Sequence, residues 1–334
     1  MNLKSITSEV IEPYTPKNFA KEYWDLKGSA QYPMFLAVSL GLKPVFDDWI
    51  NISKYDLFVE VCKKYNMIVI PDIIFNVTKS DKNTVVGGEN VATTYFDAKR
   101  FSKKEKSGEV HVIISKSRQK ALEAKKFAWY PVCINKRSTN KPFIDNMRFG
   151  KALGFPDCCV DFSRVYNNWH IYSHPYEIYK NTPRINGKAR GSYYCNNFLM
   201  DNTHSFIHHL PCSYRCKKTI NWAREIERKF YEVEPDFVEK AIEILKKPLL
   251  IFSERNFIIF NGKLSENGAK KILEYDNCEY IKNPSRPEEA MVFFDSIKEG
   301  NNLILDNNNL IIKDNNSIIK TIEKKPQWFV LDFD

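Results

Sequence analysis

Two prolines, each followed closely by cysteines, restrict the fold of this chain more than any other feature. Residues 154–159 read Gly-Phe-Pro-Asp-Cys-Cys, and residues 209–216 read His-Leu-Pro-Cys-Ser-Tyr-Arg-Cys. Proline is favoured at the first position of a helix, because the N–H that it lacks would have no partner there. We therefore predict that Pro156 and Pro211 each open a helix.

The four cysteines of these two segments form a candidate metal site. The predicted helices place Cys158, Cys159 and Cys212 in first turns, where unpaired N–H groups and the helix dipole stabilise a thiolate. Cys216 lies one turn beyond Cys212 on the same predicted helix face. Four sulfurs on two helix N-termini can meet around one soft metal centre, so these four cysteines are the predicted cofactor and metal ligands.

Two kinds of metal centre use four thiolates: zinc sites and iron–sulfur clusters. On a helix the Cα–Cβ bonds of Cys158 and Cys159 diverge by about 100°, which makes chelation of one small ion by both awkward. A [4Fe–4S] cluster offers a separate iron to each sulfur, so the sequence favours the cluster, with zinc as the alternative. Two interpretations without metal stay open: a dithiol–disulfide couple, and cysteines that are simply packed in a core.

Histidines and arginines occur close to the cysteines in the sequence. A helix predicted over residues 196–208 would place His204 and His208 four residues apart on one face, a spacing that metal ligands use. His209 leads directly into the second cysteine segment and is a further candidate metal ligand. The candidate substrate-binding residues are Arg148, Arg215 and Arg224, because arginine attracts phosphate and carboxylate groups.

A second basic stretch, between residues 116 and 141, contains Trp129 and Tyr130. An RNA-binding surface needs basic and aromatic side chains together, although this combination is not specific to RNA. The formal net charge of +9 is also compatible with an anionic partner. The basic members of the stretch are Lys116, Arg118, Lys120, Lys125, Lys126, Lys136, Arg137 and Lys141.

Composition excludes several other classes of protein. A chain of 334 residues with 43% hydrophobic residues is long and apolar enough for two or three folded domains. It shows no signal peptide and no apolar run that could span a bilayer, so we expect a cytoplasmic protein without a membrane partner. Eight cysteines are too few for a disulfide scaffold. The isolated Cys62, Cys133 and Cys278 are expected to be small buried hydrophobes.

The sequence patterns predict an α/β protein in three parts. Residues 1–145 form an N-terminal α/β domain, residues 146–247 a central helical domain that carries the cysteine motifs, and residues 248–334 a small β-rich domain. The first part contains strands at residues 67–77, interrupted at Pro71, and at residues 109–114.

Individual elements follow from local signals. Ser115 is predicted to cap a helix that runs to Lys126. In the central part, a short helix from Asn146 is predicted to end at Gly154. In the last part, short apolar runs are separated by Asn- and Asp-rich turns and predict strands, with one helical insert near residues 265–273.

The two cysteine motifs together resemble a family of uncharacterised archaeal and bacterial proteins. The residues that carry the resemblance are Arg148-x-Gly150-x₃-Gly154-Phe155-Pro156-x-Cys158-Cys159-x₂-Phe162 and His209-x-Pro211-Cys212-Ser213-x-x-Cys216. The family pattern is Gly-(Tyr/Phe)-Pro-x-Cys-Cys followed by His-x-Pro-Cys-Ser-x-x-Cys. The match covers residues 145–230, and because the family has no secure function, it supports the site and not a reaction.

These observations lead to a functional expectation. The favoured interpretation is a protein that binds an iron–sulfur cluster and performs redox or sulfur chemistry on a small metabolite, a cofactor precursor or a tRNA base, with a redox partner protein. The alternatives are a zinc-stapled RNA-binding module and a metal-free thiol or persulfide carrier. The chain contains no Cys-x₃-Cys-x₂-Cys run, so radical-SAM chemistry is not expected, and no catalytic residue can be assigned.

Overall fold

The first part of the chain folds as an antiparallel sheet packed against helices. The strands are β1 (Phe46–Asn51), β2 (Ile68–Lys79), β3 (Thr94–Arg100) and β4 (Glu109–Ser115), and their order in the sheet is β1-β4-β2-β3. The helices are α1 (Lys21–Lys27), α2 (Tyr32–Ser39), α3 (Tyr55–Lys64) and α4 (Arg118–Lys125). The register between β2 and β4 shifts between Pro71 and Ile74, which confirms the predicted interruption of the strand.

The structure is a computed structural model. It describes residues 10–11, 14–17, 19–28, 31–79, 94–128, 130–131, 142–143, 145–166, 174–185, 187–200, 204–253, 256–268, 270–281 and 291–334. Cys133, Trp129, Lys136, Arg137 and Lys141, which the sequence singled out, lie outside these residues.

The predicted cap of α4 was wrong by two residues. Ser117, not Ser115, is the N-cap, and its hydroxyl accepts a hydrogen bond from the N–H of Lys120. Ser115 belongs to β4, donates to the carbonyl of Pro44 and accepts from the N–H of Ser117. The Ser115 hydroxyl, two residues upstream, thus orders the loop, and the helix begins only after Ser117.

The middle of the chain consists of helices joined by irregular segments. The helices are α5 (Asn146–Ala152), α6 (Asp157–Tyr166), α7 (His174–Lys180), α8 (Lys217–Val233) and α9 (Pro235–Leu245), and the short strands are β5 (Tyr130–Pro131), β6 (Pro142–Phe143), β7 (Arg184–Ile185) and β8 (Lys188–Ala189). Gly154 has φ of +82°, which favours glycine, so α5 ends where the sequence predicted. Pro156 precedes α6, and its carbonyl accepts the first helical hydrogen bonds of α6.

Two helices predicted in this part were wrong. Pro211 does not open α8, which begins six residues later, because a turn at Ser213 intervenes: its hydroxyl accepts from the N–H of Arg215 and its carbonyl from that of Cys216. The described residues between 196 and 208 form no α-helix either. Asn196 and Ser205 hydrogen-bond to nearby backbone N–H groups there, and such side chains compete with a helix.

The last part of the chain is a seven-stranded antiparallel sheet. In order β14-β13-β12-β11-β10-β9-β15, the strands are β9 (Leu249–Ser253), β10 (Asn256–Asn267), β11 (Lys270–Ile281), β12 (Asn302–Leu305), β13 (Asn309–Asp314), β14 (Ser317–Glu323) and β15 (Phe329–Leu331). The predicted helical insert at residues 265–273 was wrong, because these residues form the tip of the β10–β11 hairpin, where Leu264 pairs with Leu273. The helix is α10 (Met291–Glu299).

The two faces of this sheet are buried in different cores. Leu250 and Phe252 of β9 pack with α10, whereas Leu249 and Ile251 of the same strand point into the principal core of the molecule. That core extends from Val10 to Phe333 and contains side chains of all three predicted parts. The mixed α/β class is confirmed, and the boundaries at 145 and 247 stay predictions. Within the described ranges, every helix is too short or too polar to cross a bilayer.

Candidate metal centre

The Sγ atoms of Cys158, Cys159, Cys212 and Cys216 all lie within 4.8 Å of one another. Cys158 and Cys159 are 4.0 Å apart at their sulfurs, and Cys216 Sγ lies 3.6 Å from the first and 3.7 Å from the second. Four converging sulfurs at this separation are able to hold a metal ion. The four cysteines that the sequence identified are therefore confirmed as one group, positioned to bind metal.

Each pair of cysteines reaches the group by a different route. Cys158 and Cys159 lie in the first turn of α6, as predicted. Cys216 is the N-cap of α8 and Cys212 lies in the preceding turn, so these two do not share a helix face as the sequence predicted. The side-chain amide of Asn181 donates to the carbonyl of Cys212 at 2.6 Å and fixes this turn against the end of α7.

Two hydrogen-bond donors face the sulfur of Cys159. The backbone N–H of Cys212 donates to Cys159 Sγ at 3.3 Å, and the hydroxyl of Thr219 lies 3.4 Å from the same sulfur. Cys159 and Cys216 are buried, while Cys158 and Cys212 are half-buried. Hydrogen bonds from groups that do not themselves bind the metal orient a thiolate ligand and stabilise its charge.

The titrations of the Cys159, Cys212 and Cys216 thiols depend on one another. Hydrogen bonds from Cys159 and Cys212 hold the pKa of the Cys216 thiol well below its usual range. The pKa of Cys212 is raised because its thiol hydrogen-bonds to Cys159 and Cys216. Without metal, Cys216 therefore ionises first, at the N-terminus of α8, where the helix dipole also favours a negative charge.

The remaining cysteines of the described residues lie outside the group. Cys195 is completely buried beneath it, with its sulfur 4.0 Å from the carbonyl of Cys216. Cys62 and Cys278 are buried in apolar surroundings, which confirms the expectation for them. Burial raises the pKa of Cys278 to about 11, so it is a poor nucleophile at neutral pH.

Among the described residues, the candidates His204, His208 and His209 lie outside the group of four cysteines. His209 is buried, and its Nε2 lies 3.1 Å from the Thr219 hydroxyl. Burial, and the nearby charge of Lys43, lower the pKa of His209 to about 3, so this imidazole is neutral at physiological pH. His208 Nε2 lies 3.3 Å from the side-chain amide of Gln31, and His204 is buried in the core.

The three arginines proposed for substrate binding are separated in the structure. Arg215 is paired with the carboxylate of Asp334 at 2.8 Å. Arg148 is exposed on α5 with its guanidinium over the ring of Phe127. Arg224 is exposed on α8 with its guanidinium over the ring of Tyr194. Their role in binding stays a prediction.

The basic stretch is described only in its first part. Lys116, Arg118, Lys120 and Lys126 are exposed, as an RNA-binding surface requires. Lys125 is half-buried and donates to the carbonyl of Pro71 at 2.5 Å. Its amine is therefore partly committed to the fold.

A cavity of about 320 Å³ borders the metal centre and was not predicted. It lies between α5, α6 and residues 208–210, and both Cys159 and His209 line it. Thr219 was missed as well. Its position three residues after Cys216, one helical turn away, is the signal that could have indicated it.

Three comparisons with known proteins bear on the site. No family model, no curated protein sequence and no solved structure matches this chain. The resemblance of its cysteine motifs to an uncharacterised family therefore stays a proposal. The function of this chain is therefore inferred from the geometry of its own residues.

Proposed function

We propose that the four cysteines bind one tetrahedral zinc ion. With Zn–S bonds of about 2.3 Å, the sulfurs of a tetrahedral site stand roughly 3.8 Å apart. The Sγ–Sγ distances among Cys158, Cys159 and Cys216 are 3.6, 3.7 and 4.0 Å. This agreement is the observation that carries the proposal.

The same distances weigh against the [4Fe–4S] cluster that the sequence favoured. In such a cluster each cysteine binds a different iron, so the width of the cluster separates the sulfurs. The argument for the cluster was that Cys158 and Cys159 diverge on a helix. Their sulfurs nevertheless lie 4.0 Å apart, which suits a single shared ion.

The proposed ion has a structural role. Four sulfur ligands leave no open coordination position, and zinc does not change its oxidation state, so such a site stabilises structure and performs no redox chemistry. The ion would join the first turn of α6 to the N-terminus of α8 and to the irregular segment between residues 204 and 216. In this way it fixes one wall of the neighbouring cavity.

Metal analysis tests the proposal. Protein produced with both iron and zinc available is expected to contain one zinc per chain and to be colourless. Serine at Cys158 or Cys212 removes a ligand, so the zinc content should fall to a small fraction of that of the native protein. Serine at Cys62 or Cys278 is the matched control and should leave the zinc content unchanged.

Different metal contents would support the other interpretations. A brown protein with about four irons per chain would show that the centre is an iron–sulfur cluster and not zinc. It would also support the redox function that the sequence favoured. Protein without metal that reversibly forms a disulfide among these cysteines would indicate a thiol carrier. The RNA-binding alternative is tested by whether affinity for tRNA falls steeply with salt and with charge reversal at Lys217 and Lys218.

A further inference from the structure

The four sulfurs of the proposed zinc centre differ in their exposure to solvent. Cys158 and Cys212 are half-buried, whereas Cys159 and Cys216 are buried. The susceptibility of a cysteine to oxidation follows its exposure and its thiolate character, and the cysteine ligands of a metal are deprotonated. A small oxidant that approaches from solvent therefore meets Cys158 and Cys212 before the other two sulfurs.

The two neighbouring sulfurs of α6 also differ in their hydrogen bonds. Cys159 Sγ faces the N–H of Cys212 and the hydroxyl of Thr219. Among the described residues, the polar contacts of Cys158 Sγ are the sulfurs of Cys159 and Cys216, and no N–H or O–H group is among them. A thiolate whose charge is stabilised is a weaker nucleophile. Of the two, Cys158 is therefore the sulfur that an oxidant attacks.

The geometry also selects the cysteine that reacts with an oxidised Cys158. Its neighbour Cys159 is excluded, because adjacent Cα atoms stand about 3.8 Å apart and a disulfide needs a separation of roughly 4.4–6.8 Å. Cys216 Sγ lies 3.6 Å from Cys158 Sγ, the shortest of the three sulfur–sulfur distances among these cysteines. Because Cys216 is the N-cap of α8 and Cys158 belongs to α6, a bond between them joins two different elements.

We propose that Cys158 is an oxidation site through which hydrogen peroxide releases the zinc ion, with Cys216 as the second sulfur of the resulting disulfide. This step rests on the proposed metal centre. The Cys158 thiolate attacks one peroxide oxygen, so that an S–O bond forms, the O–O bond breaks and hydroxide leaves. The Cys216 thiolate then attacks the Cys158 sulfur, an S–S bond forms and a second hydroxide leaves. The two sulfurs together lose two electrons, and these reduce the peroxide.

The oxidised centre keeps one connection and loses another. Cys159 and Cys212 are the two thiolates that remain for zinc, and because a structural zinc site uses four ligands, the ion leaves as Zn²⁺. The disulfide still ties the first turn of α6 to the N-cap of α8. The turn that carries Cys212 loses its metal contact and depends on hydrogen bonds such as that from Asn181.

Peroxide treatment of the zinc-loaded protein tests this site. The zinc content is measured first, and a chromophoric chelator too weak to strip the untreated protein then records the zinc that hydrogen peroxide releases. Disulfides are mapped by mass spectrometry after the free thiols have been blocked. We expect loss of the bound zinc, a disulfide between Cys158 and Cys216, and renewed zinc binding after reduction with dithiothreitol. Serine at Cys278, a buried cysteine outside the centre, is the matched control and should leave the release of zinc unchanged.

Each other result overturns the proposal. Zinc that stays bound in the presence of peroxide would show that Cys158 is not an oxidation site. Loss of zinc with a different disulfide, or with sulfinic acid and no disulfide, would remove the pairing of Cys158 with Cys216. Protein that contains no zinc before peroxide is added would contradict the metal centre itself, so the first measurement separates a failure of the metal proposal from a failure of the oxidation proposal.

Discussion

At the scale of single residues, Thr219 connects the metal centre to the cavity. Its side chain is completely buried, and its hydroxyl lies between Cys159 Sγ and His209 Nε2 at 3.4 and 3.1 Å. A hydroxyl is suited to this position because it can donate to the thiolate and accept from the imidazole at once. One oxygen thus orients a metal ligand and fixes the tautomer of a cavity residue.

Valine at Thr219 should weaken zinc binding without preventing folding. Valine keeps the branched shape of threonine but cannot donate to the Cys159 thiolate, and loss of such a hydrogen bond costs 10- to 100-fold in metal affinity in typical sites. Competition with a chromophoric chelator measures this affinity. Serine at Thr219 keeps the hydroxyl and is the control; if it weakens zinc binding as much as valine does, the effect comes from packing.

The sequence was sufficient to predict the four cysteines, but it did not lead to the residues that hydrogen-bond to them. The four cysteines could be predicted because thiolates in pairs are specific to metal and redox sites. Thr219 could have been predicted from its position one turn after Cys216. Asn181 could not, because its role depends on the path of residues 204–216, most of which the sequence pattern wrongly treated as helical. The identity of the metal depends on the distances between sulfurs, and these distances depend on that same path.

At the scale of helices and strands, the start of α8 is the feature that the proposed metal would hold in place. The helix begins directly after Cys216, and the turn before it is shaped by Ser213 and by the Asn181 contact. Such a segment has few regular backbone hydrogen bonds, so its conformation depends on the side-chain contacts that hold it. The proposed metal would hold this segment through Cys212 and Cys216.

Removal of the metal is therefore expected to loosen this segment first. Hydrogen exchange of the protein with and without a strong zinc chelator should show faster exchange in residues 204–216 and in the first turns of α6 and α8. The strands β9 to β13 contain none of the four cysteines of the group and should keep their protection. Loss of protection throughout the sheet would mean that the metal centre stabilises the whole fold; no change anywhere would show that the cysteines hold no metal that orders them.

Regular elements were predictable where their own side chains determine them. The strands of the last part follow from alternation, and the end of α5 follows from Gly154. The predictions failed where a side chain satisfies the backbone in another way, as at Ser213, Asn196 and Ser205. The helical insert failed for a different reason, because the exposed tip of a long hairpin carries little apolar pattern.

At the scale of the whole molecule, His111 and Lys43 are two of the ionisable side chains buried beside the first sheet. His111 of β4 lies between Asp47 and Asp72, with its ring nitrogens 3.2 and 3.1 Å from their carboxylates. Lys43 is buried and donates to the carbonyls of Val45 and Leu153, which ties the first part of the chain to α5. Both groups make the stability of the chain depend on pH.

The two groups act in opposite directions. Burial alone would lower the pKa of His111, but the hydrogen bonds to Asp47 and Asp72 outweigh it and raise the pKa to about 8. Its contribution is complete below the unfolded pKa of about 6.5 and is lost as pH rises through 8. Burial lowers the pKa of Lys43 to about 7, so its cost to the folded state is complete below pH 7 and declines as pH rises from 7 to the unfolded pKa of about 10.4.

A difference measurement isolates His111 from Lys43. The free energy of unfolding of the native protein, minus that of the His111→Gln variant, should fall by about 2 kcal/mol between pH 6 and pH 9, because one pKa unit corresponds to about 1.4 kcal/mol. Lys43 titrates in both proteins and cancels. Should the variant not fold, an NMR titration of the native protein gives the same information: the His111 ring should still be protonated at pH 7. A ring that is neutral at pH 7, or a difference that rises with pH, would show that burial prevails over the two carboxylates.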